Sequence, residues 1–116
     1  GAPVALALPE LLALAPGSVA RTRERLRVNL ATARRVLDEQ YRVRRCDGGW
    51  TFLVDVPRYL ADDDLAAALL DAGLWAHPGW LYDLDSPGAL ALSLLPEPAT
   101  FETGCMRLRA AVDALA

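Results

Sequence analysis

Near residue 40 the spacing of apolar residues changes, and that change restricts the fold of this chain more than any other feature. Between residues 18 and 40, Leu26, Leu30, Ala33 and Leu37 recur at intervals of four, three and four, with mostly Arg, Glu and Thr between them. This spacing gathers them on one stripe of a long helix. Ser18, just after Pro16-Gly17, is placed to cap its start. Beyond Gln40 the repeat shortens to two. Tyr41 to Cys46 reads as a strand, Asp47-Gly48-Gly49 as a turn, and Trp50 to Val56 as a second strand ended by Pro57. Phe52, Val54 and Val56 share one face of that strand, and Thr51, Leu53 and Asp55 take the other.

The two periods then recur. Asp62-Asp63-Asp64 opens a helix whose inner stripe is Leu65, Ala68, Leu69 and Ala72, and Gly73 stops it. Leu74 to His77 reads as a short strand reaching Pro78-Gly79, followed by a loop from Trp80 to Gly88. Ala89 to Leu94 is another strand, with Leu90, Leu92 and Leu94 on one face and Ala89, Ala91 and Ser93 on the other. A last helix carries Phe101, Cys105, Leu108, Val112 and Leu115 in one stripe. These elements predict an α/β (α+β) two-layer sandwich, with a small mixed or antiparallel sheet of about four strands packed by helices and a long N-terminal helix. The apolar segment 4–14, broken by Pro9 and closed by Pro16-Gly17, reads as a separate helical turn. It has no place inside that sandwich, so residues 1–17 are expected to be the tail of a missing larger domain and 18–116 the sandwich itself. Gly1-Ala2-Pro3 carries neither an initiator Met nor a basic region before an apolar stretch, which suggests a piece of a longer protein and no signal peptide.

The chemistry the residues can support is narrow. All twelve basic residues are arginine, so covalent lysine chemistry is excluded. Cys46 and Cys105 lie far from each other and from His77, the single histidine. Packed, reduced thiols are therefore expected, and no ligand spacing for zinc or another metal exists. No apolar run is long enough to span a membrane. Nine arginines fall between residues 21 and 45 against only Glu24, Asp38 and Glu39, a basic block of the kind that can mark a nucleic-acid surface. Since these arginines sit on an amphipathic helix and the net charge is −3, no nucleic-acid partner is expected. Asp83 and Asp85 read as a solvated loop, His77 as a hydrogen-bonded structural residue, and Gly48-Gly49 as a turn in place of a phosphate cradle.

The ordered motifs carry more information than any single residue. Gly48-Gly49-Trp50, the helix from Asp62 through Leu70, the run Ala76-His77-Pro78-Gly79-Trp80-Leu81-Tyr82-Asp83, the strand Ala89 to Leu95 and the segment Phe101 to Leu108 follow one another. Together they resemble the C-terminal small domain of a class I/II, fold-type I, pyridoxal-phosphate-dependent aminotransferase. Even Ala2-Pro3-Val4 resembles the stretch that leaves that family's large domain, downstream of the cofactor lysine.

The resemblance implies a parent enzyme that moves an amino group between an amino acid and a 2-oxo acid. Its pyridoxal phosphate would be bound mainly by the missing large domain, and the fragment alone would be inactive. The partners it implies are the chain's own large domain, a second copy in a homodimeric parent and the small-molecule substrates, in the cytoplasm. It implies no catalytic residue in this chain, and a substrate cleft bordered by Gly48, Gly49, Trp50, Gly79, Trp80, Tyr82, Ala91 and Ser93. A core position remains an alternative for Trp50. One departure stands out. Where the family's "R-x-S" strand carries the arginine that clamps the substrate carboxylate, this chain has Ala91. A branch of the family with "V-x-S-L-L" in that strand is similar to Ser93-Leu94-Leu95, with Phe101 and Gly104 following. A carbon–sulfur lyase of the same fold and a non-enzymatic module using the arginine-rich helix remain open readings.

Overall fold

The computed structural model describes residues 2–38, 40–46, 48–57, 59–78 and 88–116, with side chains from residue 16 onward. Helix α1 (Ala2–Leu37) leads into β1 (Arg42–Val43), β2 (Thr51–Asp55), α2 (Asp62–Asp71), β3 (His77–Pro78), β4 (Ala89–Ser93) and α3 (Pro98–Asp113). The four strands form one antiparallel sheet in the order β1-β2-β4-β3. The helices cover one face of it, giving the two-layer α/β sandwich that the periodicity predicts.

The main departure is at the start. No break separates 4–14 from the long helix, because α1 runs through Pro9, Pro16 and Gly17 for 36 residues. A proline removes one bond of the helical ladder, and the surrounding Ala and Leu, strong helix formers, resume it on either side. Ser18 is accordingly not a cap; its Oγ accepts from Arg21 instead. Pro16 to Arg25 are all exposed, whereas Asn29, Ala33, Val36 and Leu37 are buried. Among the described side chains of α1, those from Leu26 onward therefore pack against the body of the molecule.

The core forms as the spacing requires. Phe52 and Val54 of β2 and Leu90 of β4 meet Leu65 and Leu69 of α2 and Phe101, Cys105, Leu108 and Val112 of α3. Phe52 and Phe101 pack edge to face, 5.9 Å between ring centres. Within α2 only Leu65 and Leu69 are buried, and Ala72, expected inside, is exposed. The helix ends there: Leu74 N–H reaches Leu69 O and Gly73 N–H reaches Leu70 O, a closing pair of bonds that turns the last residues away from the core. Strand β3 is shorter than expected and shifted later, since it begins at His77 and 74–76 do not join the sheet. Gly88 joins the loop to β4 at φ +85°, and a Cβ there would lie 2.9 Å from Val56 O, so only glycine fits. Its N–H is held by Asp62 Oδ1 at 2.9 Å and its carbonyl accepts Val56 N–H at 3.0 Å.

Asn29 ties α1 to the sheet. It is fully buried, and its Nδ2 donates to Leu94 O at 2.9 Å and Pro96 O at 2.8 Å. Tyr41 does the same for α3, donating from its hydroxyl to Asp113 Oδ1 at 2.6 Å. Burial, reinforced by that carboxylate, raises the Tyr41 pKa above its ordinary value.

Candidate functional site

The face of the sheet turned away from the helices carries Arg44, Thr51, Asp55, His77 and Ser93, polar groups that could meet a ligand. Its rows follow from the strand register. Leu53 pairs with Ala91, and Ala91 with His77 on the other side. Arg44 extends the row past β1, donating its N–H to Leu53 O at 2.8 Å. The next row pairs Thr51 with Ser93. The hairpin turn closes this end of the sheet: Gly48, Gly49 and Trp50 are exposed, Gly49 at φ +78°, and Trp50 O accepts Leu94 N–H at 2.7 Å. Thus Trp50 stands beside the Ser93 end of β4.

Of the cleft candidates, Gly48, Gly49, Trp50 and Ser93 lie at this one end of the sheet. Ala91 lies one row further in, buried between Leu53 and His77. Trp50 is 63% exposed, which removes the reading of it as a core aromatic. Gly79, Trp80 and Tyr82, with Asp83 and Asp85, lie outside the described residues. Ser93 Oγ accepts the N–H of Leu95 at 3.1 Å, closing a small turn.

Two side-chain pairs, one on this face and one at the β3 edge of the sheet, are not legible in the sequence. Arg44 grips Asp55 through Nε and Nη2, with contacts of 2.7 to 3.2 Å, and the carboxylate raises the Arg44 pKa. Both side chains are about three-quarters shielded. Trp75, 78% exposed, donates its indole N–H to His77 Nε2 at 2.5 Å and packs edge-on against that ring. The imidazole thus presents an acceptor to Trp75. The sequence signals existed: Asp55 lies opposite Arg42, so Arg44, two residues along on the same face, reaches it diagonally, and Trp75 and His77 are two apart on a strand-like run. The strand register makes Arg44 and Asp55 meet, whereas Trp75 and His77 meet locally.

The candidates for covalent chemistry are few. Cys105 is buried under α3, and burial pushes its thiol up to about 12, so it stays protonated at neutral pH. Among the described residues no group of His, Cys, Asp and Glu could hold a metal ion. None of the described helices is long and apolar enough to cross a membrane.

On the helix side, a cavity of about 600 Å³ opens between α3 and the segment following α2. Phe52, Leu92, Phe101 and Leu108 line its interior, and Trp75, Ser93, Gly104 and Arg107 also border it.

No family model and no curated protein matches the sequence. Solved structures do match. The aromatic aminotransferase of Pyrococcus horikoshii superposes with a TM-score of 0.75 at 14% identity, over 86% of this chain and 28% of its own. LysN, the α-aminoadipate aminotransferase of Thermus thermophilus, solved with N-(5′-phosphopyridoxyl)-L-leucine, gives 0.71 at 22% identity over 97% of this chain and 29% of its own. The valine-pyruvate aminotransferase AvtA of Salmonella typhimurium gives 0.68 at 20% identity over 83% and 27%. The fold is that of part of an aminotransferase. It agrees with the C-terminal small domain of the fold-type I enzymes that the ordered motifs resemble, and the chain spans less than a third of each neighbour's length.

Proposed function

We propose that residues 18–116 are the small domain of a pyridoxal-phosphate-dependent aminotransferase and that residues 1–17 are the arm joining it to a large domain. The observation that carries this reading is the superposition on three aminotransferases over 83–97% of the chain. The ordered motifs and the wholly exposed stretch Pro16 to Arg25, which awaits a neighbour, support it.

The residues present do not fit the cofactor by themselves. The chain has no lysine to bind it covalently, and its one Gly-Gly pair is an exposed hairpin turn. Pyridoxal phosphate would supply the electron sink for amino transfer from the large domain, in a cytoplasmic, homodimeric parent. This chain's residues would form one wall of the cleft. The exposed Trp50 would offer a flat apolar surface that excludes water, and the Ser93 hydroxyl a polar contact beside it. Gly79, Trp80 and Tyr82 would continue the rim. Ala91 brings no charge, so the substrate carboxylate would be held by the large domain.

The test compares two proteins. The 116-residue chain, incubated with pyridoxal phosphate and borohydride, should gain no cofactor mass and should not transaminate. A version extended upstream through the cofactor lysine should do both with an amino acid and a 2-oxo acid. Pyruvate and ammonia from the extended protein would identify a carbon–sulfur lyase instead, and cofactor mass on the short chain would overturn the assignment.

A further inference from the structure

We propose that the cavity between α3 and the end of α2 binds a small monoanion with an apolar body, such as an aromatic or branched aliphatic carboxylate. This site is on the helix side of the sheet, shares only Ser93 with the cleft candidates among the described residues, and is independent of the aminotransferase reading.

Three observations carry it. First, its volume of about 600 Å³ falls in the range of pockets that enclose small ligands, and Phe52, Leu92, Phe101 and Leu108 give it an apolar interior. Second, Gly104 sits in the middle of α3 at its border. A glycine inside a helix is destabilising relative to alanine. Nothing in this chain requires it: a Cβ at Gly104 would meet no atom within 4 Å, and its φ is not in the left-handed region. The missing side chain leaves the helix backbone accessible to another body. Third, Arg107 lies one turn along at the same border, exposed and without an ion-pair partner among the described residues. It supplies a fork for a carboxylate at the mouth while the apolar body fills the interior.

The aromatic sulfonate 1-anilinonaphthalene-8-sulfonate serves as the probe, with indole-3-acetate as the competing carboxylate and N-phenyl-1-naphthylamine as a neutral analogue. The 116-residue chain should bind one sulfonate probe saturably and release it to indole-3-acetate. Gly104→Leu should weaken that binding by about tenfold or more by filling the cavity, with no fall in Tm. Arg107→Ala should weaken the anionic probe by about fivefold and leave the neutral analogue unchanged. Should the leucine variant not fold, amide shifts on titrating the unaltered chain decide: movement at Gly104 and Arg107 supports the site, and movement confined to Gly48, Gly49 and Trp50 overturns it. Unaltered binding by a folded Gly104→Leu variant would also sink the proposal. So would failure of an upstream-extended protein to bind the probe, since the cavity would then be filled by the rest of the protein.

Discussion

The two faces of the sheet use the same strands for different ends. Toward the helices β2 and β4 present Phe52, Val54 and Leu90, all buried in one apolar cluster. Away from them the same strands present Thr51, Leu53, Asp55 and Ser93, partly or fully exposed, with Arg44 and Asp55 paired. One face holds the domain together by removing apolar area from water. The other keeps its hydrogen-bonding groups at the surface. A side chain's value here follows from its parity along the strand, and substitutions on alternate residues should separate stability from binding.

The largest effect is expected on the covered face. Phe52→Ala should cost about 3–5 kcal/mol in denaturant unfolding, because it removes a buried ring and its edge contact with Phe101. Leu53→Ala, one residue away on the open face, should cost less than half of that; equal losses would break the comparison. Asn29→Leu should cost about 1–3 kcal/mol, since Leu94 O and Pro96 O lose the amide that satisfies both. Heteronuclear amide spectra should show the change concentrated at the end of β4.

Alkaline pH probes the covered side selectively. Below pH 9.0 the Cys105 thiol is protonated in both folded and unfolded chains, so its contribution is fully present. Above that, the unfolded chain releases a proton that the folded chain holds up to about 12, and stability falls with rising pH. Tyr41, raised from 10.0, acts in the same direction. Cys105→Ala should flatten the start of this decline in Tm against pH, and an unchanged slope would assign it elsewhere.

Smaller effects belong to the open face and to the exposed end of the hairpin. Arg44→Ala should cost about 1 kcal/mol or less and the difference should shrink in high salt, as expected of a partly shielded ion pair. Trp50→Ala should change stability by no more than about 0.5 kcal/mol, because the ring is already in water. In an upstream-extended enzyme the same substitution should lower kcat/KM. A stable variant with unchanged kcat/KM would remove Trp50 from the cleft.

Local periodicity reached far into this molecule. The stripe Phe101, Cys105, Leu108 and Val112 is buried as its spacing predicts, and Phe52, Val54 and Val56 face the core together. Gly73 closes α2 where expected. Punctuation was less informative: Pro9 and Pro16 signal a break, yet α1 is continuous. A proline's cost is set against the helix-forming residues around it, and a single-position rule does not weigh that sum.

What the sequence determined by itself was the class of each element, the side of each strand that seeks burial, and the exclusion of lysine chemistry, all of which depend on residues near one another or on composition. The tertiary structure alone decided which distant groups meet. The sheet register brings Arg44 to Asp55 and sets Ala91 between Leu53 and His77, while helix docking seals Asn29 onto the end of β4 and leaves a cavity beside Gly104. Such contacts join residues far apart in the chain, 67 positions from Asn29 to Pro96 and 72 from Tyr41 to Asp113. Their geometry depends on how the layers settle, a property of the packed whole that no local spacing encodes.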